Sequence, residues 1–573
     1  MMILKLRSIV LLLALCVLLF FWELGDIPFY NRGEPREGLV VSEMYTTGNW
    51  ILPMVNGDYI PFKPPLFHWV GVLTAVVLGN VNEFTVRFPS ALFATLGVLL
   101  TYLAGARLWG ERSGLISAMV LATSPEWWQT ATIAQVDMTL SFFMVAALLH
   151  FLFLYLERKD DIKNSMGLSL FLALAMLAKG PVGALLPMLA IGVFLWLQRD
   201  LAFLKRLHPF ASATVFLLAA GSWYALAGWQ GGKAFFIRQI MEESLQTAVG
   251  AYGHFQPLYY FIPVFLINFI PWSFFLPSLA LLLYKERHRL AEERLLYPLI
   301  WFVIVLLFFS LARGKRGIYI LSLYPAAALL LGAWWQKLEK GEGSFPRLTR
   351  MIGYFIAGSS LSVFGAFLTL LWGEDVLNGL GILHLVGNLP KLPAIFHSLI
   401  SSSPLLWACF ALSGMAAVLL IWALSRKSWN YVFVSLMVIA VSATLVTKRI
   451  YYPFLASERT LKPFLERVKQ EIDPRAPLFF YRSFDLGTIF YAHRHIASFQ
   501  KDRGQSEEPF FLLMWEEEWK RLGGSKGLEM LDISEGTGAV GKHHMVLVRV
   551  TESGPLSESS LSQSPDDASE EPL

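Results

Sequence analysis

Pro65-Leu66-Phe67-His68-Trp69-Val70-Gly71-Val72-Leu73-Thr74-Ala75-Val76-Val77-Leu78-Gly79 is the stretch on which the fold turns. It is apolar, but it has only about half to three-quarters of the length of a membrane-spanning helix. If it crosses a bilayer, every later loop changes sides; if it lies along the surface, none does. The basic loops decide. With the stretch at the surface, Arg107/Arg112, Arg158/Lys159/Lys163, Arg199/Lys205/Arg206, Lys285/Arg287/Arg289/Arg294, Lys337/Lys340/Arg347/Arg350 and Arg426/Lys427 all share the side of Lys5 and Arg7, as basic loops do on a cytoplasmic face. The stretch therefore reads as an interfacial helix, with Pro64-Pro65 at its start.

Composition agrees with a membrane protein. Of 573 residues 55% are hydrophobic and 16% charged, with a mean hydropathy of +0.52, and no soluble interior hides so many apolar runs. Counting about 17–25 residues per span gives about thirteen spans, the first near 8–25 and the last near 430–447. The first run has no small-residue cleavage site before Trp22-Glu23 and reads as a retained span. Cys16 and Cys409 lie inside apolar runs, which excludes a disulfide framework or a cysteine metal site. No Walker, dinucleotide or nucleic-acid motif is present.

The chain thus divides into a helical membrane domain, 1–448, with a first outer loop at 26–85, a C-terminal α/β domain at 449–551, and an acidic tail at 552–573. Pro477–Tyr481, Thr488–Tyr491 and Met545–Val550 read as strands after a helical Thr460–Ile472. The tail, rich in Ser, Asp, Glu and Pro, reads as disordered.

In this topology the outer face collects the charges that chemistry needs. Glu34, Arg36, Glu37 and Glu43 stand at or in a helix-like segment, and Lys63 is fixed beside Pro64 and Pro65 at headgroup depth. Asp137 begins a span. It reads either as a helix start or as a carboxylate that can meet Glu34, as a base or a divalent-ion site requires. Lys179 in Lys179-Gly180-Pro181, with Arg313, Lys315 and Arg316, puts more cations on outer turns than charge bias favours. Together with Arg36 and Lys63 they suit a phosphate or pyrophosphate; the alternative is a set of snorkelling side chains. His254 is a lone histidine, with no second one at zinc-ligand spacing.

Several motifs, in order, resemble one family. Gly33-Glu34-Pro35-Arg36 to Glu43-Met44, Gly48-Asn49-Trp50-Ile51-Leu52-Pro53, Phe62-Lys63-Pro64-Pro65-Leu66-Phe67-His68-Trp69, Arg87-Phe88-Pro89-Ser90, Asp137-Met138, Lys179-Gly180-Pro181, Gln256-Pro257-Leu258-Tyr259-Tyr260 and Lys315 to Tyr324-Pro325 resemble the GT-C membrane glycosyltransferases. The likeness is to the superfamily of 4-amino-4-deoxy-L-arabinose transferases and protein O-mannosyltransferases. It implies a sugar moved from a polyprenyl-phosphate donor to a lipid, such as lipid A, or to a protein, on the periplasmic side of the inner membrane. It also implies Glu34 and Asp137 as the acidic pair, and so as candidate metal ligands, with Arg36, Lys63 and Lys315 at the donor phosphate, to which the outer-face charge adds Lys179 and Arg316. Glu43, Tyr259 and Tyr319 would line the substrate. Where the family has Asp, this chain has Gly33, so Glu34 is the expected base and Asp137 its rival. A transporter or lipid flippase is the alternative from another class, but it would carry ionisable groups within its spans. An envelope scaffold would leave the outer cations without a use.

Overall fold

The computed structural model describes residues 2–57, 61, 63–237, 256–291, 294–342, 346–371, 403–499, 509–522, 527–538 and 543–551. His254 and the tail from 552 lie outside them. Eight helices among the described residues are long and apolar enough to cross a membrane, or nine if the pair Phe261–Asn268 and Trp272–Lys285, bent by 110°, is one span. Four shorter apolar helices accompany them. The protein is a multi-pass helical membrane protein with a small C-terminal sheet.

The difference from about thirteen full spans has a local cause, since several of those runs are short or broken helices. The run 114–131 is two helices, Glu111–Ala122 and Pro125–Ala131. At the break, the hydroxyls of Thr123 and Ser124 bond back to the carbonyls of Met119 and Val120, and Pro125 cannot continue the ladder.

The elements that carry the site come early. We label α1 (Met2–Cys16), α2 (Gly33–Thr47), α3 (Leu66–Leu78), α4 (Glu83–Trp109), α5 (Glu111–Ala122), α6 (Pro125–Ala131), α7 (Val136–Glu157), α8 (Ile162–Lys179) and α9 (Val182–Leu197). At about 20 Å, α3 is too short to span. It buries Phe67, His68, Val72 and Ala75 and leaves Leu73, Val76 and Val77 exposed. One flank is a packing face, and the other is apolar surface. α4 starts on a capping box in which Asn82 and Thr85 satisfy each other's backbone amides. α4 and α5 cross closely because Gly105 faces Gly114, where an added Cβ would lie 2.8 Å from the other Cα.

The C-terminal region folds into a five-stranded sheet in the order β2-β1-β3-β5-β4, built from β1 (Leu478–Phe480), β2 (Ala497–Ser498), β3 (Phe510–Trp515), β4 (Leu528–Ile533) and β5 (Met545–Val550). β1 runs parallel to β2 and β3, while β3–β5 and β4–β5 are antiparallel. The central strands, Phe-Phe-Leu-Leu-Met-Trp and Met-Val-Leu-Val-Arg-Val, are apolar in the manner of strands covered on both sides. Thr488–Tyr491, read as a strand, lies instead in the helix Leu486–Ala492. Its β-branched and aromatic residues suit a strand, but Asp485 caps the helix by accepting from the Thr488 amide at 2.7 Å.

One apolar core joins this unit to α2 and α3. Val40, Val41 and Met44 of α2 and Phe67 and Val72 of α3 are buried in the same cluster as Phe464, Leu465, Phe480, Phe490, Leu513 and Leu547, each large side chain contributing roughly 1.5–3 kcal/mol. Polar contacts fix the join. The Tyr491 hydroxyl accepts from the Phe29 amide at 2.7 Å and donates to Glu83 at 3.1 Å, and Lys462 reaches Glu83 at 2.8 Å. Tyr491→Phe leaves the Phe29 amide buried without its acceptor, so it is expected to destabilise the protein by about 1–3 kcal/mol. Thermal unfolding in detergent checks this, and an unchanged midpoint would show that Tyr491 does not tie the two parts together.

Candidate active site

α2 begins earlier than its apolar pattern suggests. Asn31 Oδ1 accepts from the amides of Gly33 and Glu34 at 2.9 and 3.0 Å, which starts the helix at Gly33 and puts Glu34 and Arg36 inside its first turns. Three sides of α2 are then taken. Glu34 faces α4, Gly38 faces Phe490 of the C-terminal unit, and Glu37 and Val41 face α3. Arg36 stands partly exposed beside them, with a third of its side chain open.

Glu34 turns to α4. Arg87 of α4 grips it from Nε at 2.6 Å and Nη2 at 3.1 Å, Asn31 Nδ2 donates at 3.0 Å, and so does the Ala134 amide. Four donors fill the lone-pair sites of the two oxygens, and the residue is fully buried. No acceptor position remains for a substrate proton or a metal ion. Arg87 is satisfied in turn by the carbonyls of Leu24, Ile27 and Pro28 and lies over the Phe29 ring. The pair is a clamp holding α2 and the segment before it onto α4.

Asp137 behaves differently. The side chain at the start of α7 does not cap its own helix but reaches Lys179 at the end of α8, Oδ1 to Nζ 2.6 Å. Lys179 also lies 4.6 Å from the centroid of the Tyr319 ring, which brings the segment after Lys315 and Arg316 against the basic partner of Asp137. Lys63 belongs to the same constellation. Burial first, then the charges of Lys179 and Arg36, push its ammonium well below the usual lysine range, against the pull of Asp137 and Glu37. The Glu37 carboxyl lies at about 2; burial would raise it, but Arg36, His68 and Lys63 overcome that.

The remaining candidates divide. Lys315 is buried and donates to the Gln256 carbonyl at 2.9 Å, Arg316 is exposed, and Tyr259 is 66% exposed on the approach to the bundle. Glu43 lies further along α2, where burial raises its carboxyl and His495 of the C-terminal unit opposes that. Among the described residues no group of three or more His, Cys, Asp or Glu converges as a metal site. Sequence reasoning gave no role to Arg87, His68 or Glu126, which accepts from Asn268 at 2.6 Å. The signal for Arg87 was available: an arginine in an otherwise apolar run needs a buried partner.

The family of dolichyl-phosphate-mannose-protein mannosyltransferases matches residues 62–224, the portion that holds Lys63, Arg87, Asp137 and Lys179. An uncharacterised protein of Aquifex aeolicus (strain VF5) is 33% identical over 328 residues, covering 56% of this chain and 73% of that protein. The undecaprenyl phosphate-alpha-4-amino-4-deoxy-L-arabinose arabinosyl transferase of Pectobacterium carotovorum is 30% identical over 334 residues, 58% of this chain. Over these matched portions the chain is similar to the arabinose and mannose transferases. The matched part spans about six-tenths of the arabinosyl transferase, 59% of its length. In fold the chain is similar to ArnT from Cupriavidus metallidurans, solved with undecaprenyl phosphate, at a TM-score of 0.74 and 20% identity, covering 94% of this chain and 97% of that one.

The clamp and the Asp137 site make opposite demands on substitution. Arg87→Met strands a buried carboxylate and is expected to cost about 3–5 kcal/mol, while adding Glu34→Gln to it recovers most of the loss. Unfolding midpoints in detergent measure both. Equal stability of wild type and Arg87→Met would remove the clamp from the account.

Proposed function

We propose that this protein is a glycosyltransferase that moves a sugar from a polyprenyl-phosphate donor to a hydroxyl or phosphate oxygen of a lipid acceptor, lipid A-like in kind, or to a protein hydroxyl. One observation carries the reading. Asp137 and Lys179 are bonded side by side within the field of Lys63 and Arg36, at the end of a helical bundle whose superfamily uses lipid-linked sugars. The acceptor oxygen attacks the anomeric carbon, the bond from that carbon to the donor phosphate breaks, and the phosphate leaves with the electron pair. Arg36, Lys63 and Lys179 neutralise the leaving phosphate, with Lys315 and Arg316 beside them, since charge grows there in the transition state. Asp137 takes the acceptor proton. Glu34, the base expected from the motif, keeps the scaffold role that its four donors give it.

In this reading the site faces the periplasmic side of the inner membrane, residues 1–448 form the catalytic membrane domain, and 449–551 form an outer domain. The charge bias of the loops supports that orientation.

Purified protein with a labelled polyprenyl-phosphate sugar is expected to release polyprenyl phosphate when an acceptor is present. Asp137→Asn should lower single-turnover transfer by about 10²–10³ while donor binding persists, and Glu34→Gln should keep turnover in proportion to folded protein. Because the Lys63 ammonium lies below its usual range, its charge is lost as pH rises through that lowered value. The alkaline limb of kcat/KM should thus fall earlier than for an ordinary lysine, and Lys63→Arg should move it upward. Full activity in Asp137→Asn overturns the assignment.

Single cysteines in a background lacking Cys16 and Cys409 test the orientation. Positions 137 and 462 should react with an impermeant thiol reagent from outside intact cells, and position 158 should not. The reverse pattern overturns it.

A further inference from the structure

We propose that His68 and Glu37 form a positioning pair that aims Arg36 at the donor phosphate, an inference that rests on the function proposed above. His68 lies between Lys63 and Trp69 in the Lys63-Pro64-Pro65-Leu66-Phe67-His68-Trp69 motif. The chain of contacts is short and dry. His68 Nε2 lies 2.7 Å from Glu37 Oε2, and the other oxygen, Oε1, accepts from Arg36 Nε at 3.2 Å and Nη2 at 3.1 Å. The His68 and Glu37 side chains are 1% and 4% exposed, and Arg36 is 32% exposed. Two members are thus locked in the interior and the third emerges at the surface of the site.

A guanidinium is a planar fork, so a carboxylate that takes its Nε edge fixes the plane in which its other N–H groups lie. Glu37 alone would leave that plane free to swing, because a glutamate side chain turns about its own single bonds. His68 stops the swing by holding the second oxygen. Its anchor is firm: α3 meets α2 where Gly71 faces Val41, and the neighbouring Trp69 donates from Nε1 to the Trp50 carbonyl at 2.7 Å. Nδ1 of His68 is buried and has no partner among the described residues. A second N–H there would lack an acceptor, so the ring serves by donating through Nε2. The start of α3 therefore sets two parts of the phosphate site at once, Lys63 just before the helix and Arg36 through His68.

The bland alternative is that His68 only ties α3 to α2. A double-substitution cycle separates the two, read as the affinity of purified full-length protein for a polyprenyl phosphate in detergent. His68→Ala is expected to weaken binding roughly tenfold in the Arg36 background and hardly at all in Arg36→Ala, since residues acting through one another are not additive. His68→Gln, whose amide N–H can still donate to Glu37, should restore most of the affinity. Glu37→Gln keeps the side-chain volume and should reproduce the dependence on Arg36, which provides a second arm if His68→Ala does not fold. Equal losses in both backgrounds, or a lower unfolding temperature with unchanged affinity, overturn the proposal. Wild-type affinity in Arg36→Ala overturns it together with the functional reading beneath it, whereas weak binding there with additive His68 losses leaves that reading standing.

Discussion

A buried carboxylate and a buried guanidinium hold this structure's working end in shape. Glu34 and Arg87 are both out of water, and their desolvation is tolerable only because every hydrogen-bonding site on the carboxylate is used and the arginine also binds three backbone carbonyls. Geometry follows from that. The clamp fixes the rotation of α2 about its axis, and the rotation decides that Glu37 turns to α3 while Arg36 turns to the site. A change in the pair would thus reach the contacts of Arg36, Glu37 and His68 without touching them.

The remaining charges work by contrast with the clamp. Asp137 and Lys179 are bonded but not sealed, with side chains 12% and 13% exposed, and charges of both signs surround the Lys63 ammonium. A saturated carboxylate makes a strut, whereas a partly satisfied one can exchange partners when an anion enters. The two acidic groups that the motif treats alike are therefore separated by their surroundings. Chain position told nothing about this, because Glu34 finds its partner 53 residues away.

Much of the architecture was nonetheless legible. The helical membrane class, the shortness of Pro65–Gly79 and the small C-terminal sheet all follow from counting and hydropathy. What escaped was set by tertiary partners. Thr488–Tyr491 has strand-like residues, yet Asp485 and the surface of α2 make it a helix. The break at Thr123-Ser124 depends on hydroxyls turning back to their own helix, and such a turn looks the same in sequence as an unbroken polar patch. The contact of Asp137 with Lys179, 42 positions away, is likewise set by tertiary packing, and no local pattern pairs the two. A residue's type predicts what it can do, and its neighbours choose.

The contact between the Phe29 amide and Tyr491 joins residues 462 positions apart. During synthesis α2 and the segment before it emerge among the first elements, and they wait for nearly the whole chain before the helix Leu486–Ala492 exists to cover them. A late-made part is thus the lid of an early-made one. Covering of α2 is consequently a late event of biogenesis, and a chain cut short before Leu486 would fill the membrane with helices yet leave α2 without this cover.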